Sequence, residues 1–245
     1  MSMRTPRRGA QLPYTLLAGV VPCPTGWLAA TAKLQGVNLA PEEPQVFKTF
    51  LEVLDYKPAY QVVTVFAPIG LLDQASPKGR TCDRDARRLL GWPRASAIVS
   101  APARPALGSP DYEAAAKANG GHLSPVSWRQ FKRIAEVEQN VAPYWQRTVF
   151  EVHPELSFFQ LNADKPVRYP KRSQAGIEER RSILGARFPG VERILDARLS
   201  RISRSQLLDA AACLWTARRI VSKAATRLPE DPEWDQEGLR MELVR

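Results

Sequence analysis

Histidine, cysteine and long apolar runs are the scarcest features of this 245-residue chain, with only two histidines and three cysteines. Cys23, Cys82 and Cys213 stand far apart and form no Cys-x-x-Cys pair, which argues against a disulfide framework or a structural zinc site. No apolar stretch reaches the length of a membrane span. There is no tandem repeat, no low-complexity segment, and no Gly-rich phosphate loop of the Walker or dinucleotide type. The start resembles a secretory leader only superficially. Arg4, Arg7 and Arg8 precede an apolar run, but Pro13 interrupts its approach and no small-residue cleavage site follows. Residues 1–13 therefore read as a basic tail on a cytoplasmic protein.

What is present is enough apolar sequence, 44%, for one sizeable core. The whole chain, 1–245, is expected to form a single domain. Its 35 basic and 25 acidic residues leave a net charge of +10, which weakly favours a polyanionic partner. Leu16–Val21 and Trp27–Lys33 read as strands paired around the turn Pro22-Cys-Pro-Thr-Gly26, with a third strand near Val37–Leu39. Pro44–Tyr56 has apolar residues at helical spacing. Gln61–Phe66 is a near-continuous apolar run, as in a strand buried on both faces. Residues 81–146 read as a mostly helical insertion before the fifth strand. It holds an Arg-rich helix, Cys82–Leu90, and a helix opened by Ser124-Pro125 that runs to about Asn140. Thr148–His153 is the fifth strand, Ser173–Phe188 is helical, and a long helix covers about Ser205–Thr226. The pattern predicts an α/β domain with a mixed sheet flanked by helices.

Six ordered segments carry more than pattern: GVVPCPTGW, FAPIGLLD, CDRDARRLLG, EVHPELSF, LLDAAACLWTARRI and GLRMELV. Together they resemble a bacterial family of uncharacterised proteins predicted to be RNase H-like nucleases. The resemblance spans roughly Leu17 to Val244. It implies an RNase H-like sheet on which carboxylates from the first strand, a later central strand and the last helix converge on Mg²⁺ or Mn²⁺. Such hard cations take oxygen ligands and activate the attacking water. This sequence departs from that pattern. Val21 stands where the first motif usually has Asp, and Phe66 where the second does. Ser205 and Gln206 replace an acidic pair before Asp209. Glu151, Glu155 and Asp209 remain, and Asp73 could join them only if its loop folded back.

Each remaining candidate has a plainer reading beside the functional one. Asp209 falls on the same arc of the last helix as Thr216, Arg219, Lys223 and Arg227, which reads as a solvated face or a basic stripe for phosphates. Glu151 and His153 alternate with Phe150 and Val152, so they read as one strand face, suited to acid–base chemistry or to hydrogen-bonded structure. Glu155 either caps or begins the next helix, and His122 reads as loop. Arg84, Arg87 and Arg88 can grip phosphates or pair with Asp83 and Asp85. Trp92, Trp128, Phe131, Tyr144 and Trp145 can stack on bases or fill the core.

The leading expectation is a nucleic-acid- or nucleoprotein-binding protein with a degraded metal site and no cofactor. An active Mg²⁺- or Mn²⁺-dependent nuclease and a protein-interaction scaffold are the alternatives.

Overall fold

The computed structural model describes residues 13–245. All but the last residue of the basic tail read over 1–13 lies outside them. The chain opens with β1 (Thr15–Cys23), β2 (Gly26–Gln35), β3 (Asn38–Pro41), β4 (Gln45–Phe47), α1 (Phe50–Leu54) and β5 (Val62–Val65). Then follow α2 (Thr81–Leu90), α3 (Tyr112–Ala118), α4 (Pro125–Trp128), α5 (Phe131–Asn140) and β6 (Val149–Glu151). The last third holds α6 (Pro154–Leu161), α7 (Gln174–Arg187), α8 (Glu192–Leu195), α9 (Arg204–Val221), β7 (Arg227–Trp234) and β8 (Arg240–Val244). Among these residues no helix is long and apolar enough to cross a membrane.

The fold is mixed α/β, with a six-stranded mixed sheet flanked by helices, as the sequence pattern predicts. The strand order is β3-β2-β1-β5-β6, and β4 pairs with the outer part of β2. β1 runs antiparallel to β2 and parallel to β5, and β5 runs parallel to β6. All four residues of β5 are buried, as expected of a strand covered on both faces. On one face Leu17, Val21, Val62 and Phe150 pack with Leu207, Ala211 and Leu214 of α9. On the other, Ala18, Val20, Val63 and Val149 pack with Phe50, Val53 and Val137.

α9 lies close to the sheet because the contact is built from small residues. A Cβ added at Gly19 would stand 2.1 Å from the Leu214 backbone nitrogen. Thr64, in the adjacent strand, donates its hydroxyl to the Cys213 carbonyl at 2.8 Å. The last helix is thereby fixed over the junction of β1 and β5.

Several expected elements are corrected. The helix read over Pro44–Tyr56 is a strand followed by one short helix. Thr49 caps α1, accepting from the Glu52 amide at 3.3 Å, and Gly26 lets the Phe47 carbonyl approach where a Cβ would stand 1.9 Å away. The helix read to Asn140 breaks at Arg129-Gln130 into α4 and α5, which brings the Trp128 and Phe131 rings to 4.9 Å. The long final helix stops at Val221, Lys223 has φ +56, and the chain turns into the β7–β8 hairpin.

Candidate functional site

The Phe66 amide donates to the Val20 carbonyl at 2.8 Å, continuing the β1–β5 ladder by one step. Val21 and Phe66 therefore stand as neighbours at the same sheet end, and both pack into the core on the α9 side. With Pro22, Lys171, Arg172, Arg204 and Asp209 they line a cavity of about 580 Å³. Val21 is only 1% exposed. A second cavity of about 460 Å³ shares Phe66, Gln130, Lys171 and Arg172 with the first, and adds Arg94, Glu151, His153 and Glu155. The two cavities form one cleft across the strand ends.

Four carboxylates border this cleft, Asp83, Glu151, Glu155 and Asp209, and each is already held by a basic side chain. Asp209 is buried, not solvated, because α6 and α7 cover the arc of α9 on which it lies. Thr216 on the same arc is fully buried against Ser157 of α6, with their hydroxyl oxygens 2.8 Å apart. Lys171 donates from its Nζ to Asp209 Oδ2 at 2.7 Å, while Oδ1 is buried without a partner among the described residues. Burial pushes the Asp209 carboxyl above its ordinary range, and Lys171 opposes that push.

Glu155 is the second residue of α6, following Pro154. Its Oε1 accepts from Arg180 at 2.7 Å, and Oε2 is buried without a partner among the described residues. Arg180 is itself fully buried; it lies over the Phe158 ring at 5.3 Å and donates to the Tyr169 carbonyl at 3.0 Å.

Glu151 follows Phe150, which packs on the α9 face, so it reaches the second cavity from the opposite face of the sheet. Arg80 grips it with two parallel bonds, 2.6 Å to Oε1 and 2.8 Å to Oε2. The Ile69 amide adds a third at 2.7 Å. Arg80 also holds Asp83 at 2.8 Å, so Asp83 pairs with a residue preceding its helix rather than with Arg84, Arg87 or Arg88. Burial raises the Glu151 carboxyl, and the Arg80 charge works against that rise.

His153 stands between these groups with its ring edge-on to Phe66, centroids 4.7 Å apart. It lies beyond β6 and caps α6, its Nδ1 accepting from the Glu155 amide at 3.2 Å. Burial, reinforced by the nearby Lys171 charge, lowers its pKa from 6.5 to about 3. At neutral pH the imidazole is uncharged and its Nδ1 lone pair is committed to the helix. The expected Glu151–His153 strand face is thus two separate structural roles around one cavity.

The other candidates are dispersed. Asp73 does not fold back toward Asp209. Arg104 binds it, together with Glu138 at 2.5 Å and Asp235 at 2.6 Å. Arg84 donates to Gly79 and Thr81, and Arg87 to Ile98 and Ser100, so both brace the entry and exit of α2. Arg88 is solvent-facing and pairs with Asp85. The expected stripe of Arg219, Lys223 and Arg227 does not exist as one helix face. Arg219 lies over Trp215, Lys223 follows the helix end, and Arg227 belongs to β7 and pairs with Glu242. His122 is an exposed loop residue, as read from the sequence. Of the aromatics, Trp128 and Phe131 pack together and Trp145 joins the core, while Trp92 and Tyr144 are exposed.

Mg²⁺ or Mn²⁺ does not fit this donor set. Two expected ligand positions are apolar and the three remaining carboxylates each carry an arginine or lysine. Among the described residues no group of three or more His, Cys, Asp and Glu is arranged to hold a metal ion. Sequence reasoning missed the basic partners Arg80, Lys171 and Arg180. For Arg80 a signal existed, since Arg80-x-x-Asp83 has the spacing of a pair across one helical turn.

A family model described as "Protein of unknown function (DUF429)" matches residues 19–234. No curated protein and no solved structure matches the chain. The match spans most of the sequence, and the chain belongs to the DUF429 family.

Proposed function

We propose that this DUF429 protein binds nucleic acid by its phosphate backbone at the strand-end cleft and does not cleave it. In this reading the fold is an RNase H-like sheet whose metal site has been replaced by internal ion pairs. Support for the fold comes from the neighbouring first and central parallel strands with the last helix laid across them. Support for the absence of cleavage comes from one observation above all. The Lys171 ammonium occupies Asp209 at 2.7 Å, beside Val21 and Phe66. A lysine there supplies positive charge to a buried carboxylate as a dication would, but it polarises no water and leaves no open coordination position.

Binding is supported by the cations at the cleft. Arg172 and Arg204 are exposed, border the same cavity as Lys171, and have no carboxylate partner among the described residues. A polyanion meeting such side chains releases counterions, so its affinity falls steeply with salt. The test is fluorescence anisotropy of a labelled oligonucleotide across a salt series. Arg172→Glu with Arg204→Glu should weaken binding and flatten the log–log salt slope by about 2. Reversing Arg219, Lys223 and Arg227 should leave the slope where it is. Absence of binding at every salt concentration, or a slope indifferent to Arg172 and Arg204, would refute the proposal.

A further inference from the structure

We infer that the nucleic acid taken by this cleft is single-stranded, with unpaired bases stacking on Trp92 and Tyr169 at its rim; this rests on the nucleic-acid reading above. Trp92 follows the end of α2 and is 87% exposed, in contrast to Trp27, which is fully buried and donates its indole N–H to Glu136 at 2.7 Å. An indole left in water forfeits a large burial gain, so its exposure points to a partner that covers it. Tyr169 is 41% exposed. Neither residue lines the cavities, but both stand beside them: Arg94, two residues beyond Trp92, donates to the Tyr169 carbonyl at 3.4 Å, and Pro170, next to Tyr169, lines the 460 Å³ cavity. Arg94 also lines the 460 Å³ cavity with Lys171 and Arg172.

The chemistry of this rim alternates π faces with fixed positive charge. Arg168 stands 5.8 Å from the centre of the Tyr169 ring, and Arg94 lies between the two aromatic residues in the contact just described. Aromatic faces next to a cationic groove are how single strands are held without sequence readout: bases stack while phosphates follow the charges. A duplex offers only its phosphates to such a surface, since its base faces are already stacked. Two exposed aromatic residues at the rim therefore favour unpaired strands, whereas the cations alone would favour neither form.

The experiment compares a labelled 15-nucleotide strand with its duplex in anisotropy titrations, using the full chain. Trp92→Ala with Tyr169→Ala should lower single-strand affinity about tenfold without changing its salt slope, and leave duplex affinity unchanged. Trp234→Ala removes an exposed indole on the β7–β8 hairpin whose ring, unlike that of Trp92, already has a guanidinium (Arg240) 5.9 Å from its centre, and should change neither. All these side chains are at the surface, so the variants retain the core. Equal single-strand affinity in the Trp92/Tyr169 variant, or wild-type binding to duplex as tight as to single strand, overturns this inference while leaving the phosphate-binding proposal standing. No binding of either form overturns both.

Discussion

Lys171 Nζ lies 2.7 Å from Asp209 Oδ2, and the second oxygen of that buried carboxylate has no partner among the described residues. The pair joins the loop before α7 to the last helix at the sheet end where Val21 and Phe66 meet. It gives the carboxylate a counter-charge that the chain itself carries.

Removing that counter-charge should cost stability. Lys171→Met leaves Asp209 charged and buried, and since the Lys171 side chain is 36% exposed the loss is reduced to about 1–2 kcal/mol. Adding Asp209→Asn should recover part of it, because the neutral amide needs no counter-ion. Urea melts of both variants at neutral pH measure this. A Lys171→Met protein as stable as wild type would show that the pair contributes nothing.

The cluster at Arg80 should be the more sensitive. Arg80, Asp83 and Glu151 are all nearly inaccessible, and Arg80 alone compensates two carboxylates. Arg80→Met should destabilise by about 3–5 kcal/mol, the usual cost of leaving a buried charge unpaired. The combination Arg80→Met, Glu151→Gln should be less damaging than Arg80→Met alone. Additive losses in the double variant would contradict a direct pairing.

His153 sets a pH dependence with a definite sign. Its folded pKa is lowered from 6.5 to about 3, so the unfolded chain binds the proton more readily throughout that window. Its contribution is fully present above the unfolded pKa of 6.5 and is lost as pH falls toward about 3. Between about pH 6.5 and 4.5 this amounts to roughly 2 kcal/mol. His153→Asn keeps a capping side chain and removes the titration, so its stability should fall less over that interval. Parallel pH profiles for the two proteins would refute the assignment.

Much of the sheet was legible because its strands repeat simple patterns. The Pro- and Gly-rich turn after Val21 marked the β1–β2 hairpin, and the apolar run Gln61–Phe66 marked a strand covered on both faces. The motif positions likewise anticipated Val21 beside Phe66. The C-terminal hairpin was hidden because β7 contains Pro229 and Pro232, which interrupt strand pairing and read as loop. The packing of α6 on α9 had a larger consequence. Helical periodicity gives the angle of Asp209 on α9 but not what covers that angle, so a buried residue read as solvated. The partners of the three carboxylates were least legible, since Lys171–Asp209 joins residues 38 apart and Arg80–Glu151 residues 71 apart. No local spacing encodes such contacts.

The central claim is that the cleft holds a strand without cutting it. The most direct measurement is gel electrophoresis of end-labelled single- and double-stranded DNA and RNA incubated with the purified protein and Mg²⁺ or Mn²⁺, with and without chelator. The account predicts retarded complexes on native gels, full-length strands on denaturing gels, and no difference between wild type and Asp209→Asn in strand integrity. Fragments that appear only with metal, vanish with chelator and are lost in Asp209→Asn would contradict it.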